Sequence, residues 1–395
     1  MHKLMIIGGG FAGFWGALSA VREARVLGKV DELELTLISK NEYHTIKPRL
    51  YEQDLEETQV KLKKYCEPLG INLIVSNIIS IDPDKSKVIL GDQNEIIYDT
   101  LILAAGSQLK QSAVSGIEKT FNVDTNAEAS RLDAHLKKLS MSGFNSKSSK
   151  SVVVVGGGAT GIEVATTMLE RLRQLVDSET GFEIHLVDIN KSLAPGYSDE
   201  GREYIKSSLK SHNIELHLGE ELKQLKENCI QLSSGKFIET ETVIWTAGVE
   251  ANVLSNYFDV EKDGAGRLQV DQFLRLPKYK NVFVAGDMAR VLVDDSNYAL
   301  MSCQHAMPQG KFAGHNAVSA IFGQEMKPYS QPVYATCLNL GPDDALFTTG
   351  WNRDVQMKGA DARELKTQIN TMWIYPAPDV EKSLEMSLPT VETGE

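Results

Sequence analysis

Two six-residue glycine clusters are the segments best suited to chemistry: Gly8-Gly9-Gly10-Phe11-Ala12-Gly13 and Gly156-Gly157-Gly158-Ala159-Thr160-Gly161. Each follows an apolar β-branched run, Leu4 to Ile7 and Val152 to Val155, and opens an Ala-rich helical pattern. In that setting the first glycine makes the tight turn and the second lets a pyrophosphate approach the backbone. The third packs helix on strand. The anion then rests on the positive end of the helix. One such cluster is a weak signal, because glycines gather in many loops. Two in the same setting imply two bound dinucleotides, which can stack ring to ring and pass electrons. The chemistry implied is electron transfer between a flavin, FAD, and a nicotinamide, NADH.

Each second strand should end in a residue that addresses the adenosine ribose. In the later unit, Glu183-Ile184-His185-Leu186-Val187-Asp188 puts Asp188 there. A carboxylate accepts from ribose hydroxyls and repels a 2′-phosphate, which favours NADH over NADPH; Lys191, three residues on, weakens that preference. In the earlier unit the matching residue is Ser39, followed by Lys40, so the adenosine must be held differently, through Ser39, Lys40 or the nearby Glu42. Gly286-Asp287 closes a late strand and suits a second grip on the first cofactor, although Gly-Asp alone is a common turn.

Glu163, two residues past the second cradle, is read on the first turn of its helix. There it either complements the helix dipole or faces the nicotinamide and flavin, ordering the ring or relaying a proton. Ser302 to Gly310 could start a helix whose amides face the flavin pyrimidine ring, where reduction places negative charge. Gln304 and His305 are then candidates for the acceptor pocket, with a buried, satisfied histidine as the alternative for His305.

These residues need an α/β framework. Lys3 to Ile7, a helix over Phe14 to Leu27 and Leu33 to Ile38 form the opening unit, with short strands at Ile71 to Val75 and Val88 to Leu90. Thr100 to Ala105 is a buried strand ending in Gly106, and a helix over Ala127 to Leu139 leads into a Ser/Lys/Gly-rich linker, Ser140 to Lys150. The plan then restarts with Val152 to Val155, a helix over Ile162 to Leu175 and Glu183 to Val187. Thr242 to Thr246 ends in Ala247-Gly248, mirroring Ala105-Gly106. Asn281 to Ala285 adds a late strand and Gly310 to Ile321 a helix of small residues.

The expected architecture is two Rossmann-like dinucleotide-binding domains with a small C-terminal cap. The FAD-binding domain is discontinuous, 1–110 with 250–325, and the NAD(H)-binding domain is 111–249. A hairpin-rich cap covers 326–376. An acidic tail, 377–395, with Asp379, Glu381, Glu385, Glu392 and Glu395 against the single Lys382, is expected to be disordered.

A length of 395 residues allows two or three domains with sizeable cores. The net charge of −12 disfavours nucleic acid and anionic membrane surfaces as partners. No run approaches the roughly 20 apolar residues of a spanning helix, and Leu4 to Ile7 is far shorter than a secretory core. Cytoplasmic residence is expected, with at most peripheral contact at the inner face of a membrane; a homodimer is compatible with the sequence. Cys66, Cys229, Cys303 and Cys337 form no close pair, which argues against a disulfide framework or a zinc site, and no metal site is expected.

With these residues in hand, the chain resembles the two-dinucleotide-binding flavoproteins of the pyridine nucleotide-disulfide oxidoreductase superfamily, and within them the type II NADH:quinone oxidoreductases. The likeness spans most of residues 1–325. It rests on GGGFAG, the stretch Tyr43-His44 to Pro48 with Leu50-Tyr51, LILAAGS (Leu101 to Ser107), GGGATGIE (Gly156 to Glu163), VIWTAGV (Val243 to Val249), VAGD (Val284 to Asp287) and CQHAMPQG. The resemblance implies FAD on Gly8, Gly10, Gly13, Gly106, Gly286 and Asp287, and NADH on Gly156, Gly158, Gly161, Asp188 and Gly248. It places Glu163 beside the nicotinamide.

The chain departs from that pattern in three ways. The family's quinone-side motif is similar to Ala-Gln-x-Ala-x-Gln, and here Cys303 replaces the alanine and Pro308 the second glutamine. A proline at a helix start removes an amide donor and can shift the entry of the helix. The membrane-docking C-terminal helices of that family give way to an acidic tail. Disulfide reductases carry a close cysteine pair soon after the first cradle, and Thr36 to Arg49 has none. Cys337 resembles the C-terminal cysteine of sulfide:quinone oxidoreductases, whose partner cysteine is missing near the second cradle; buried apolar cysteines are the expectation. The implied activity is an FAD-dependent NADH dehydrogenase passing electrons to a quinone. The alternatives are reduction of a soluble electron-transfer protein or oxidant, and a redox-sensing NADH-binding interaction protein with little turnover.

Overall fold

The computed structural model describes residues 1–176 and 180–390. The hydrophobic runs beside the glycines become the centres of two parallel sheets. In the first, the strand order is Val282–Val284, Thr100–Leu103, His2–Ile7, Leu33–Ser39, Asn72–Val75. In the second it is Thr242–Trp245, Ser151–Val155, Glu183–Asp188, Ile214–Leu218. Both run parallel throughout. In each, the strand before the cradle lies between the next strand and the later strand that leads to an Ala-Gly pair. Ser151–Val155 is buried at every position, as a central parallel strand covered on both faces must be.

The helix after the first cradle, Phe11–Val26, is buried nearly all round, with Phe14, Trp15, Ala17, Leu18 and Ala20 at 1% exposure or less. Its second neighbour is Cys303–Ile321, and small residues set the approach. A Cβ on Gly310 would overlap the Ala12 carbonyl, and one on Gly314 the Gly16 carbonyl. The late helix thereby lies along the first cradle helix and starts at the cradle end of it. An antiparallel ribbon, Ser107–Leu109 against Val249–Ala251, joins the chain where it passes from one sheet to the other and back.

Two expectations for the C-terminal part need correction. The cap is more than hairpins: Ala335–Asn339, Ala345–Thr349 and Asp354–Lys358 form an antiparallel meander, followed by helix Ala360–Gln368 and a wide turn over Ile369–Trp373. The acidic stretch after Pro376 is helical at Val380–Met386, capped by the Asp379 side chain on the Lys382 amide. Ser383 and Leu384 are buried, the Tyr65 hydroxyl donates to the Ala377 carbonyl at 2.8 Å, and Arg25 pairs with Glu381 at 2.7 Å. The interleaved small and apolar residues hold the segment on the first cradle helix despite its charge. Glu392 and Glu395 lie outside the described residues.

Candidate active site

The two cradles share one backbone geometry. Gly8 and Gly156 have φ of +115° and +116°, in the region that excludes a side chain, and a Cβ on Gly13 or Gly161 would overlap the carbonyl of Gly8 or Gly156. Gly10 and Gly158, the helix caps, are different: a Cβ there would meet no protein atom within 4 Å. Their backbone is bare toward open space where an anion approaches. This is the fit that a dinucleotide pyrophosphate requires.

The strand-end residues sit at equivalent points. A Cβ on Gly157 would lie 2.7 Å from Asp188 Oδ2, and one on Gly9 2.5 Å from Ser39 Oγ. Asp188 accepts from the Gly157 amide and, through its other oxygen, from the Asn190 amide at 2.6 Å. Ser39 is buried, and Lys40 is exposed beside it. Gly106 and Gly248 occupy matching places at the ends of the connecting ribbon, both with positive φ.

Asp287 lies in a short turn, Gly286–Met288, at the end of the late strand, where Ser107 Oγ donates to it at 2.6 Å. Burial pushes its carboxyl above the usual range. The Gly286 amide donates to Gln309 Oε1 at 2.7 Å. Gln309, which the sequence did not single out, thus ties the late helix to the Asp287 turn. The Tyr43–Tyr51 stretch is held from both sides. His44 Nδ1 meets the Gly9 carbonyl at 3.2 Å, and Arg49 donates to Tyr375 of the C-terminal segment at 2.7 Å.

In the stretch expected to line the acceptor pocket, one helix, Cys303–Ile321, takes in both the start read near Ser302 to Gly310 and the helix read over Gly310 to Ile321, and it is capped by the Ser302 side chain on the His305 amide. Pro308 therefore lies inside the helix. It leaves the Gln304 carbonyl without its intrahelical donor, and Gln331 Nε2 fills that place at 3.1 Å. The Gln304 carboxamide pairs with the cap strand, donating to the Ala335 carbonyl at 2.7 Å and accepting from its amide at 3.1 Å.

His305 is fully buried, with Nδ1 on Ser302 Oγ at 3.0 Å and Nε2 without a partner. Its ring stacks with Tyr334 and Trp351, centroids 5.5 and 6.2 Å away. Burial, with Arg267 adding to it, lowers its pKa to about 4, so the imidazole is neutral at pH 7.

Glu163 is on the second helical turn, since the helix runs Ala159–Arg173; the helix-end explanation for its charge loses its basis. Its Oε1 instead accepts from Lys366 Nζ at 2.8 Å and from the Asn339 amide at 3.0 Å. Lys366, on the cap helix, also donates to the Cys337 carbonyl at 2.9 Å and lies over the Tyr51 ring. Both charges are buried, at 8% and 6% exposure. Burial pulls the Lys366 ammonium down, but Glu163 and Tyr51 outweigh it, and its pKa rises above the usual lysine value. Sequence reading missed Lys366, which stands among Arg363, Glu364 and Thr367 on a helix that looks like a solvated face. Cys303 and Cys337 are free thiols, each pushed up to about 11 by burial.

A model of the family "Pyridine nucleotide-disulphide oxidoreductase" matches residues 2–310. An NADH dehydrogenase-like protein of Mycobacterium tuberculosis is 36% identical over 383 residues, 95% of each chain. A type II NADH:quinone oxidoreductase of Staphylococcus epidermidis is 25% identical, over 94% of this chain and 95% of that one. Among solved structures, the sulfide:quinone oxidoreductase of Aquifex aeolicus superposes with a TM-score of 0.78 at 18% identity, covering 99% and 96% of the two chains. A water-forming NADH oxidase of Lactobacillus brevis gives 0.72 at 21%, over 89% and 75%. At those identities the structures speak for the fold, and the family match with the 36% relative places the chain: it belongs to the pyridine nucleotide-disulphide oxidoreductase family and is an FAD- and NAD(H)-dependent oxidoreductase.

Proposed function

We propose that the chain is an NADH:quinone oxidoreductase that works at a membrane surface. What carries the reading is the pair of cradles with one geometry and different furnishing. The second, with Asp188 at its strand end, suits NADH; the first, with Ser39 there and Asp287 supplied from a distant turn, suits FAD. Bound FAD supplies a hydride acceptor that can return electrons singly or in pairs. The chain's own residues hold the two dinucleotides by their pyrophosphates, fix the ribityl side through Asp287, and close the far side with the cap.

The Glu163–Lys366 pair is the proton-holding element of the acceptor side, because a quinone takes up protons as it takes electrons. His305, neutral beside Tyr334 and Trp351, gives the pocket an aromatic wall. Exposed Met372 and Trp373, at 64% and 55%, close the turn after the cap helix and suit a shallow membrane contact. No helix among the described residues is long and apolar enough to cross a membrane.

The test is anaerobic reduction by NADH followed by stopped-flow mixing with an acceptor panel. Bleaching of the flavin by NADH and saturable reoxidation by short-chain quinones are expected. Reoxidation by quinones no faster than by free-flavin dyes refutes the quinone reading and favours a soluble acceptor, the reading that the −12 charge supports.

A further inference from the structure

Along the strand that ends at the second cradle, the second sheet gathers three metal-ligating side chains. His185 lies on the strand Glu183–Asp188, and Glu215 and His217 lie on its parallel neighbour Ile214–Leu218. His185 pairs in register with Glu215, and Val187 with His217, so all three side chains leave the same face. His185 Nδ1 stands 3.2 Å from His217 Nε2 and 3.3 Å from Glu215 Oε2, and the three candidate ligand atoms lie within 4.8 Å of one another. A tetrahedral ion with ligands at about 2.0–2.2 Å needs its ligand atoms about 3.3 Å apart. Two edges of the cluster have that length, and the third is wider, His217 Nε2 lying 3.6 Å from Glu215 Oε1.

The surroundings agree. Both histidines are buried, at 5% and 7% exposure, while the Glu215 side chain is half exposed and leaves a path for entry. Lys236 Nζ holds the other Glu215 oxygen at 2.8 Å and fixes the carboxylate. Glu183 Oε2 is 3.7 Å from His185 Nε2, a buried atom with no hydrogen-bond partner. A carboxylate on the free nitrogen of a histidine is the usual outer partner of an imidazole ligand. The competing arrangement is a simple imidazole–imidazole hydrogen bond capped by Glu215.

We propose that His185, His217 and Glu215 bind one divalent transition-metal ion of the zinc class, which clamps these two strands and leaves a fourth coordination position open to water. Three ligands from the protein with an N₂O donor set suit such an ion better than calcium or magnesium, which take oxygen ligands. The proposal does not rest on the identity of the electron acceptor.

The experiment uses FAD-loaded, chelator-treated protein titrated with Zn²⁺ against a chromophoric zinc indicator, with Tm followed in parallel. One ion per chain and a rise in Tm are expected. His217→Asn and Glu215→Gln should each weaken binding at least tenfold and remove the Tm rise, with FAD content and bleaching by NADH unchanged. Glu215→Gln alters only a half-exposed side chain and serves if the histidine variant folds poorly. Absence of saturable Zn²⁺ binding, or wild-type affinity in Glu215→Gln, overturns the proposal. Co²⁺ substitution gives a second readout: a thiolate charge-transfer band would place the ion on a cysteine and also overturn it.

Discussion

Removing Lys366 tests whether the acceptor side is built on a buried charge pair. Lys366→Met leaves the Glu163 carboxylate at 8% exposure with the Asn339 amide as its remaining donor. Breaking a buried pair from one side costs about 3–5 kcal/mol, because the surviving charge stays desolvated. Unfolding entropy of about 2.1 cal/mol/K per residue, over a chain of this length, makes 1 kcal/mol equal to roughly 1.2 °C, so the expected fall in Tm is about 4–6 °C. Glu163→Gln strands the Lys366 ammonium in turn, with the amide carbonyl and the Cys337 carbonyl still accepting from it, and should also destabilise. The double variant Glu163→Gln/Lys366→Met carries no buried charge and should regain about 1–3 kcal/mol relative to the sum of the singles. The assay is calorimetry or flavin-detected melting of FAD-saturated protein for all four members of the cycle. Additive singles, or a Lys366→Met loss below about 1 kcal/mol, would refute the buried pair.

Other outcomes follow from the same geometry. Gly158→Ala meets no protein atom, so the variant should fold and stay yellow, while its KM for NADH in dye reduction rises at least tenfold; an unchanged KM removes the pyrophosphate from that cap. Asp188→Ser copies the first cradle's strand end, and should lower the NADH-over-NADPH preference measured as a ratio of kcat/KM; an undiminished ratio would show that Asp188 does not touch the ribose. Burial lowers both His44 and His305 from 6.5 to about 4, so the unfolded chain binds more protons as pH falls. Stability is then full above pH 6.5 and is lost toward pH 4, by roughly 2 kcal/mol per histidine between pH 7 and 5. His305→Gln should flatten that slope in urea titrations at the two pH values, and an identical slope would refute its neutral burial.

The donor half was legible because its chemistry is local. Glycine spacing fixes a cradle within six residues, and counting along one strand reaches Asp188. The acceptor half proposed above is assembled from distant partners: Glu163 with Lys366, Gln304 with Ala335, Gln331 with the carbonyl that Pro308 frees. No local pattern announces a buried lysine on a polar helix. Proline chemistry predicts a helix boundary, and only the fold supplies the side chain that lets the helix continue past it. Charge likewise predicted disorder after Pro376, where Leu384 and Ser383 are buried against the rest of the protein. Metal-ligand spacing in the sequence was silent about His185, Glu215 and His217, which strand register alone brings together.

The two cradles share one backbone geometry, and the duties proposed for them differ because one side chain differs beneath them. Asp188 gives the second cradle a charged, self-contained grip: the glycines, the helix start and the strand end all fall within residues 151–188. A ligand held by one contiguous unit can leave without other elements parting. At the first cradle Ser39 supplies no charge, and the missing carboxylate arrives as Asp287, fixed by Ser107 and backed by the Gln309 contact to Gly286. A ligand there is enclosed by segments that meet only in the folded chain, with the late helix packed along the first cradle helix through Gly310 and Gly314. Release would require those segments to separate. The arrangement therefore suits a resident flavin at the first cradle and an exchanging nicotinamide at the second, a division of labour set by the position of one carboxylate.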